Sequence, residues 1–216
     1  MPRRDFSHSV VILIVTVTLV ASLSALAWVV PNMFNVSIRQ LESSRPPLAA
    51  LELAGRDIYI LEGCNTCHTQ MIRHDAREIA RYGEASLPEH DVYEFPHLWG
   101  SKRTGPDLFR VGEKYSNQWH ALHLKNPRQV VPESTMPSYP WLFTNRLDGE
   151  DVPAKMRVLR SLGIPYTDTD IDTARLAVRG KTEAEALIAY LQQLGLNRPA
   201  ALSMETGVDS DTAESL

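Results

Sequence analysis

Two cysteines and the histidine that follows them constrain this chain most. Cys64 and Cys67 are the only cysteines in 216 residues, and His68 comes directly after them. Cys-x-x-Cys by itself fits a thioredoxin-type redox pair, half a zinc site or a haem attachment site. The histidine narrows these. Haem attachment needs two thiols placed to meet two vinyl groups, and an imidazole just beyond them to reach the iron. A structural zinc ion wants four ligands. His120 and His123 form a His-x-x-His pair, so a Cys2His2 site stays open by count alone. A thioredoxin-type pair should follow a strand in an α/β pattern, whereas this motif follows a helical one. The spacing predicts one covalent haem c on Cys64 and Cys67, with His68 as an axial ligand of the iron.

A second feature fixes the setting. Val10 to Val30 is uncharged and almost wholly apolar, long enough to cross a hydrocarbon core as a helix. Thr16, Thr18, Ser22 and Ser24 are tolerable there, because small hydroxyls bond back to helix carbonyls. Trp28 suits the interface, and Pro31 is expected to stop the helix. Arg3 and Arg4 precede the run, which puts the N-terminus in the cytoplasm and the head outside. In a bacterium that describes a single-pass protein of the inner membrane with a periplasmic head. The competing reading is a cleaved secretion signal with Ala25-Leu26-Ala27 as processing site. The run is long for that, and both readings put the head in one compartment. A net charge of −4 gives no general basic surface for nucleic acid.

The rest of the chain reads as mainly α. Residues 1–31 form the cytoplasmic N-terminus and anchor, and 32–47 a polar juxtamembrane linker ending in Pro46-Pro47. Residues 48–196 form the head, and 197–216 a polar tail. Leu48 to Gly63 has helical apolar spacing, with Leu51, Ala54, Ile58 and Leu61 on one face. Residues 69–103 make a long connection, interrupted by Pro88 and Pro96. A short helix is expected over Arg77 to Tyr82, another over Trp119 to Leu124, and a Pro-rich wrapping loop over 126–145. Further helices follow at Ala154 to Leu162, after Thr167, and after Thr182 with its capping-box partner Glu185. The last should stop at Gly195 and bury Leu187, Tyr190, Leu191 and Leu194.

A second axial ligand would make the haem an electron carrier, whereas an open site would make a sensor or catalyst. Met136 is the choice. It lies between Pro132 and Pro137, which fix the backbone and hold a flexible thioether in place. Met71 is too near His68 to reach the other side of the ring. Met33 and Met204 fall in linker and tail, and Met156 reads as core. His120 and His123 stay rivals. Gly105-Pro106-Asp107-Leu108 supplies the surroundings: the Pro106 carbonyl is a fixed acceptor for His68, and Leu108 packs on the porphyrin. Trp119 is expected beside the haem. His8, His74, His90 and His97 read as surface or loop residues.

Cys-x-x-Cys-His, then Thr104-Gly105-Pro106-x-Leu108, then a Met-Pro loop and a C-terminal helix resembles class I c-type cytochromes. Three stretches sharpen the likeness: Gly63 to Arg73, Leu98 to Leu108 and Val131 to Leu142. They resemble the mono-haem subunit II of cbb(3)-type cytochrome c oxidases, over roughly residues 5–196. The resemblance implies a transmembrane helix plus a class I cytochrome domain with an extended insertion. It implies that Cys64, Cys67, His68 and Met136 hold the haem. It implies electrons arriving from a di-haem subunit III and leaving for haem b of the catalytic, proton-pumping subunit I, with no active site on this chain. It also implies a calcium ion at the boundary with subunit I, contacting Gly100 and Ser101. His74-Asp75 departs from the family pattern and puts the local loop path in question.

Three other functions compete. A free-standing membrane-anchored shuttle would use the same haem, but residues 32–45 are few for a roaming head. A haem-based sensor or peroxidase would need an open sixth position, against which the Pro-flanked Met136 argues. A thiol or zinc protein would lack haem altogether.

Overall fold

A computed structural model describes residues 4–33, 46–87, 90, 92–94 and 96–195. The chain divides into two units, 1–43 and 44–216. Most of the expected linker, the expected tail and Pro88 lie outside the described residues.

The first unit is one helix, α1 (Arg4–Met33). Its stretch Ser9–Pro31 has a mean hydropathy of 2.6, and none of it is buried within the chain. A helix apolar on all sides with no protein around it calls for lipid or partner helices. Pro31 does not stop it: the helix runs on to Met33. So close to the end, a missing N–H costs at most one helical bond, and the fixed φ of proline is itself helical.

The second unit is helical, and among its described residues the only β contact is an isolated bridge between Arg146 and Thr182. Six α-helices follow: α2 (Ala50–Leu61), α3 (Ala76–Tyr82), α4 (Asn117–Lys125), α5 (Val152–Ser161), α6 (Asp168–Val178) and α7 (Glu183–Gln193). Their starts are chemically marked. Asp75 caps α3 by accepting from the Arg77 and Glu78 amides. Ser116 caps α4. Thr167 with Asp170, and Thr182 with Glu185, close capping boxes on α6 and α7. The unusual His74-Asp75 pair thus has a local purpose, since Asp75 starts a helix.

The centre of the unit is the crossing of α2 and α7. A Cβ on Gly55 would stand 2.0 Å from the Ala186 carbonyl oxygen and 2.8 Å from Tyr190 Cβ. Only glycine lets the two backbones meet there. Leu53, Ala54, Ile58 and Tyr59 of α2 are buried with Ala186, Leu187, Tyr190 and Leu191 of α7. Leu61 is 80% exposed, against the helical-face expectation. It sits nearly two turns past Gly55, where α2 has left the crossing. Leu53, outside the expected face, is buried in the core.

A buried polar network ties the long connection to this crossing. Arg56 Nε lies 2.6 Å from Glu94 Oε2, with both side chains nearly buried. Arg56 also donates to the Pro96 carbonyl at 2.6 Å. The Tyr190 hydroxyl reaches Gln70 Oε1 at 3.0 Å and Glu94 Oε2 at 3.4 Å. Gln70, Glu94 and Pro96 are thereby held against the helix pair, although no regular element spans them.

Candidate haem site

The Cys64–His68 motif leaves α2 through Gly63, whose φ of +70° turns the chain out of the helix. A 3-10 turn, Cys64–Thr66, follows. Both thiols are free, Cys64 half-buried and Cys67 exposed. Burial, then the Glu62 carboxylate, pushes the Cys64 thiol up to about 11. It is protonated at neutral pH.

His68 is held from two sides. Its Nδ1 lies 2.9 Å from the Pro106 carbonyl oxygen. Its ring lies flat on Gly105, where a Cβ would come within 2.3 Å of Cε1. The His68 carbonyl accepts from the Tyr59 hydroxyl at 2.7 Å. Burial holds the imidazole below its ordinary pKa, opposed by the Pro106 contact. It is poised as a neutral ring with Nδ1 as donor and Nε2 as free lone pair.

The wall behind His68 is hydrogen-bonded throughout. Gly105 N donates to the Cys67 carbonyl at 3.0 Å, and Leu108 N to the Thr69 carbonyl at 3.0 Å. The buried Asp107 carboxylate accepts from Met71 N at 2.9 Å, Phe109 N at 2.8 Å and Thr69 Oγ1 at 3.2 Å. Desolvation raises its pKa, while these donors pull the other way. Arg103 bridges Glu78 at 2.6 Å and the Met71 carbonyl at 2.7 Å.

Met136 is half-buried and packs at the core margin, as do Cys64, Leu108, Tyr115 and Tyr139. Its amide donates to Ser134 Oγ at 3.2 Å. Trp119 is the middle of an aromatic ladder at four-residue spacing. Tyr115 stacks on it at 3.9 Å and His123 at 4.7 Å, within 13° of parallel. His120 meets both Tyr115 and Trp119 edge-on. His120 Nε2 and His123 Nδ1 are buried without a hydrogen-bond partner. His68 is close enough to His123 for its charge to help lower the His123 pKa, after burial. Unanswered nitrogens facing a site that also presents two free thiols and an oriented imidazole fit a missing polar group. Haem, with its propionates, is such a group.

Other expected positions have ordinary partners. The Gly100 carbonyl accepts from Arg103 and the Ser101 carbonyl from Arg73. Among the described residues, no three of His, Cys, Asp and Glu converge on a metal position, so the Cys2His2 zinc reading finds no support. His90 is buried rather than at the surface. Its Nδ1 accepts from Leu87 N at 3.2 Å and its ring lies 5.8 Å from Phe109. Sequence reasoning missed Tyr59, Thr69 and Asp107. Only Asp107 carried a signal, as the third residue of the Gly-Pro turn.

A family model described as cytochrome c oxidase, mono-heme subunit/FixO, matches residues 3–184. The chain belongs to that family. It is a mono-haem subunit of a cbb(3)-type cytochrome c oxidase, an oxidoreductase complex with further subunits. Membership displaces the shuttle, sensor and zinc readings. It implies one haem. No curated protein matches the chain.

Proposed function

We propose that this chain is the one-electron relay of its oxidase. It carries haem c on thioether links from Cys64 and Cys67, with His68 and Met136 as axial ligands. The 2.9 Å contact between His68 Nδ1 and the Pro106 carbonyl carries this reading. It assigns the proton to Nδ1 and frees Nε2 for iron. When bound, the haem supplies a reversible one-electron couple.

The chain's own residues supply the rest. Asp107, Thr69 and Gly105 fix the loop that carries His68. Leu108, Tyr115 and Tyr139 line the core margin and exclude water, which favours the less charged ferrous form. Electrons arrive from the di-haem subunit III and leave for haem b of subunit I. Arg3 and Arg4 keep the N-terminus cytoplasmic and the head periplasmic. The calcium expected at Gly100 and Ser101 does not fit this chain alone. Both carbonyls already serve guanidinium groups, and a calcium ion takes 6–8 oxygen ligands.

Purification in mild detergent, followed by haem staining of a denaturing gel, tests the proposal. A stained band near 24.2 kDa, co-purifying with a polytopic haem–copper subunit, is the expected result. An unstained band would sink covalent attachment. A stained chain that purifies alone would sink the relay.

A further inference from the structure

Two histidines on α4 are buried in a way that the four haem-holding residues do not explain. His120 is 4% exposed, and His120 Nε2 and His123 Nδ1 are buried with no hydrogen-bond partner. The two stand three residues apart and so share one side of the helix. A buried N–H left without an acceptor is costly, and native structures keep few of them. Trp119 fixes both rings: His123 lies flat on it at 4.7 Å, and His120 meets it edge-on at 5.5 Å.

The helix that carries them is itself pinned at both ends. Gln192 of α7 donates to the Tyr115 carbonyl and to Asn117 Oδ1, both at 2.8 Å. At the other end the Leu124 carbonyl accepts from Tyr139 N at 2.8 Å, which ties α4 to the Met136 loop. Beyond burial, the charge of His123 acts on His120 and that of His68 on His123. The orphaned nitrogens therefore sit on a fixed helix between the Met136 loop and the surroundings of His68. What they lack is an acceptor, and α4 holds no acidic residue. A haem in this site brings two carboxylates, its propionates. Each is an anion that needs donors wherever it leaves water. The two shortages match in number and in sign.

We propose that His120 Nε2 and His123 Nδ1 are the hydrogen-bond donors that receive the haem propionates, each ring carrying its proton on that nitrogen. The inference rests on the reading that Cys64, Cys67, His68 and Met136 hold a haem. A donor on a propionate draws negative charge away from the iron. The ferric form carries one more positive charge than the ferrous, so each donor favours the ferrous form and its loss favours the ferric. The pair thus both seats the cofactor and sets its couple.

Variants that differ in the donor test this in the detergent-purified complex. His120→Leu and His123→Phe remove the N–H, whereas His120→Gln and His123→Asn keep an amide N–H near the same position. Loading is read from a haem-stained gel, the couple from a redox titration, and the propionates from their bending band in the resonance Raman spectrum. We expect each donorless variant to raise the ferric-to-ferrous ratio at a fixed potential roughly three- to ten-fold and to shift that band. Each amide variant should recover most of both. Haem loss in a donorless variant that the matching amide restores supports the proposal equally. Haem loss that the amide does not restore overturns it. A parental ratio and band in both donorless variants also overturns it, the rings then serving ordered water only. Loss of the low-spin spectrum in His123→Phe makes that ring an axial ligand and overturns it too. An unstained parent chain sinks the haem reading itself, whereas a stained parent whose donorless variants match it sinks this inference alone.

Discussion

Around His68 the chain is tied to itself at nearly every polar atom, whereas around Met136 it is held by proline. The His68 wall uses the Pro106 and Thr69 carbonyls, the Cys67 carbonyl and a buried carboxylate that takes three donors. The Met136 loop has the Ser134 contact, two backbone bonds (Ser134 N to the Val131 carbonyl and Tyr139 N to the Leu124 carbonyl) and the Pro132 and Pro137 ring constraints. The difference follows from the ligand chemistry. An imidazole offers two nitrogens, so one can be fixed by hydrogen bonding while the other binds iron. A thioether has no donor, so only backbone stiffness and packing can place it. Changes to the first wall should therefore cost folding and haem loading, while changes to the second should act on the iron.

The largest effect is expected at Gly105→Ala. The new Cβ would come within 2.3 Å of the His68 ring, which the Pro106 carbonyl holds in place. Overpacking of this kind costs about 1–3 kcal/mol, occasionally more. Haem-stained gels of membranes should show little or no loaded chain. Normal loading would mean that the wall is softer than its hydrogen bonds imply. Asp107→Ala comes next. It strands the Phe109 amide in a buried place, at about 1–3 kcal/mol for the unanswered group, while the Met71 amide keeps Thr69 Oγ1 at 3.0 Å. Thermal unfolding should drop clearly, and Asp107→Asn should recover part of the loss, since an amide oxygen still accepts.

Met136→Leu should reverse that pattern. Leucine fills similar space, so haem stays attached and stability changes by less than about 1.5 kcal/mol. The potential should fall by something on the order of 100 mV, and the ferrous spectrum should lose its low-spin character. If redox titration finds the potential unchanged, the sixth ligand lies elsewhere, and His123 becomes the residue to replace.

The two regions also differ in how much of them a reader of the sequence could see. Cys64, Cys67, His68, Pro106 and Met136 announce themselves through short motifs. So do the caps Thr167 and Thr182, because capping is a three-residue affair. The arrangement that holds His68 in place is not local. Arg56 meets Glu94 and Tyr190 meets Gln70 across 38 and 120 residues, and no spacing rule links them. Gly55 belongs to no motif, yet it is where two backbones touch. The Tyr115–Trp119–His123 ladder was legible. Trp119 and His123, four residues apart on α4, share one face, and Tyr115 lies just ahead of the Ser116 cap.

That pair gives the smallest expected effect, and one that separates the fold from the haem. Burial holds both His120 and His123 below the ordinary value of 6.5, His120 also by the charge of His123 and His123 by that of His68. Both are therefore kept neutral in the folded head. As pH falls through 6.5, the unfolded chain takes up protons that the folded chain refuses. Their contribution is full above 6.5 and is lost as pH falls toward the lowered folded values. Denaturant midpoints measured at pH 7.5 and 5.5 should thus differ, with the lower pH less stable. His120→Gln and His123→Gln should each narrow that gap while leaving the pH 7.5 midpoint nearer to the parent's than Asp107→Ala does. A gap that both variants leave intact would place the acid sensitivity at another histidine, His97 first, since burial lowers it too.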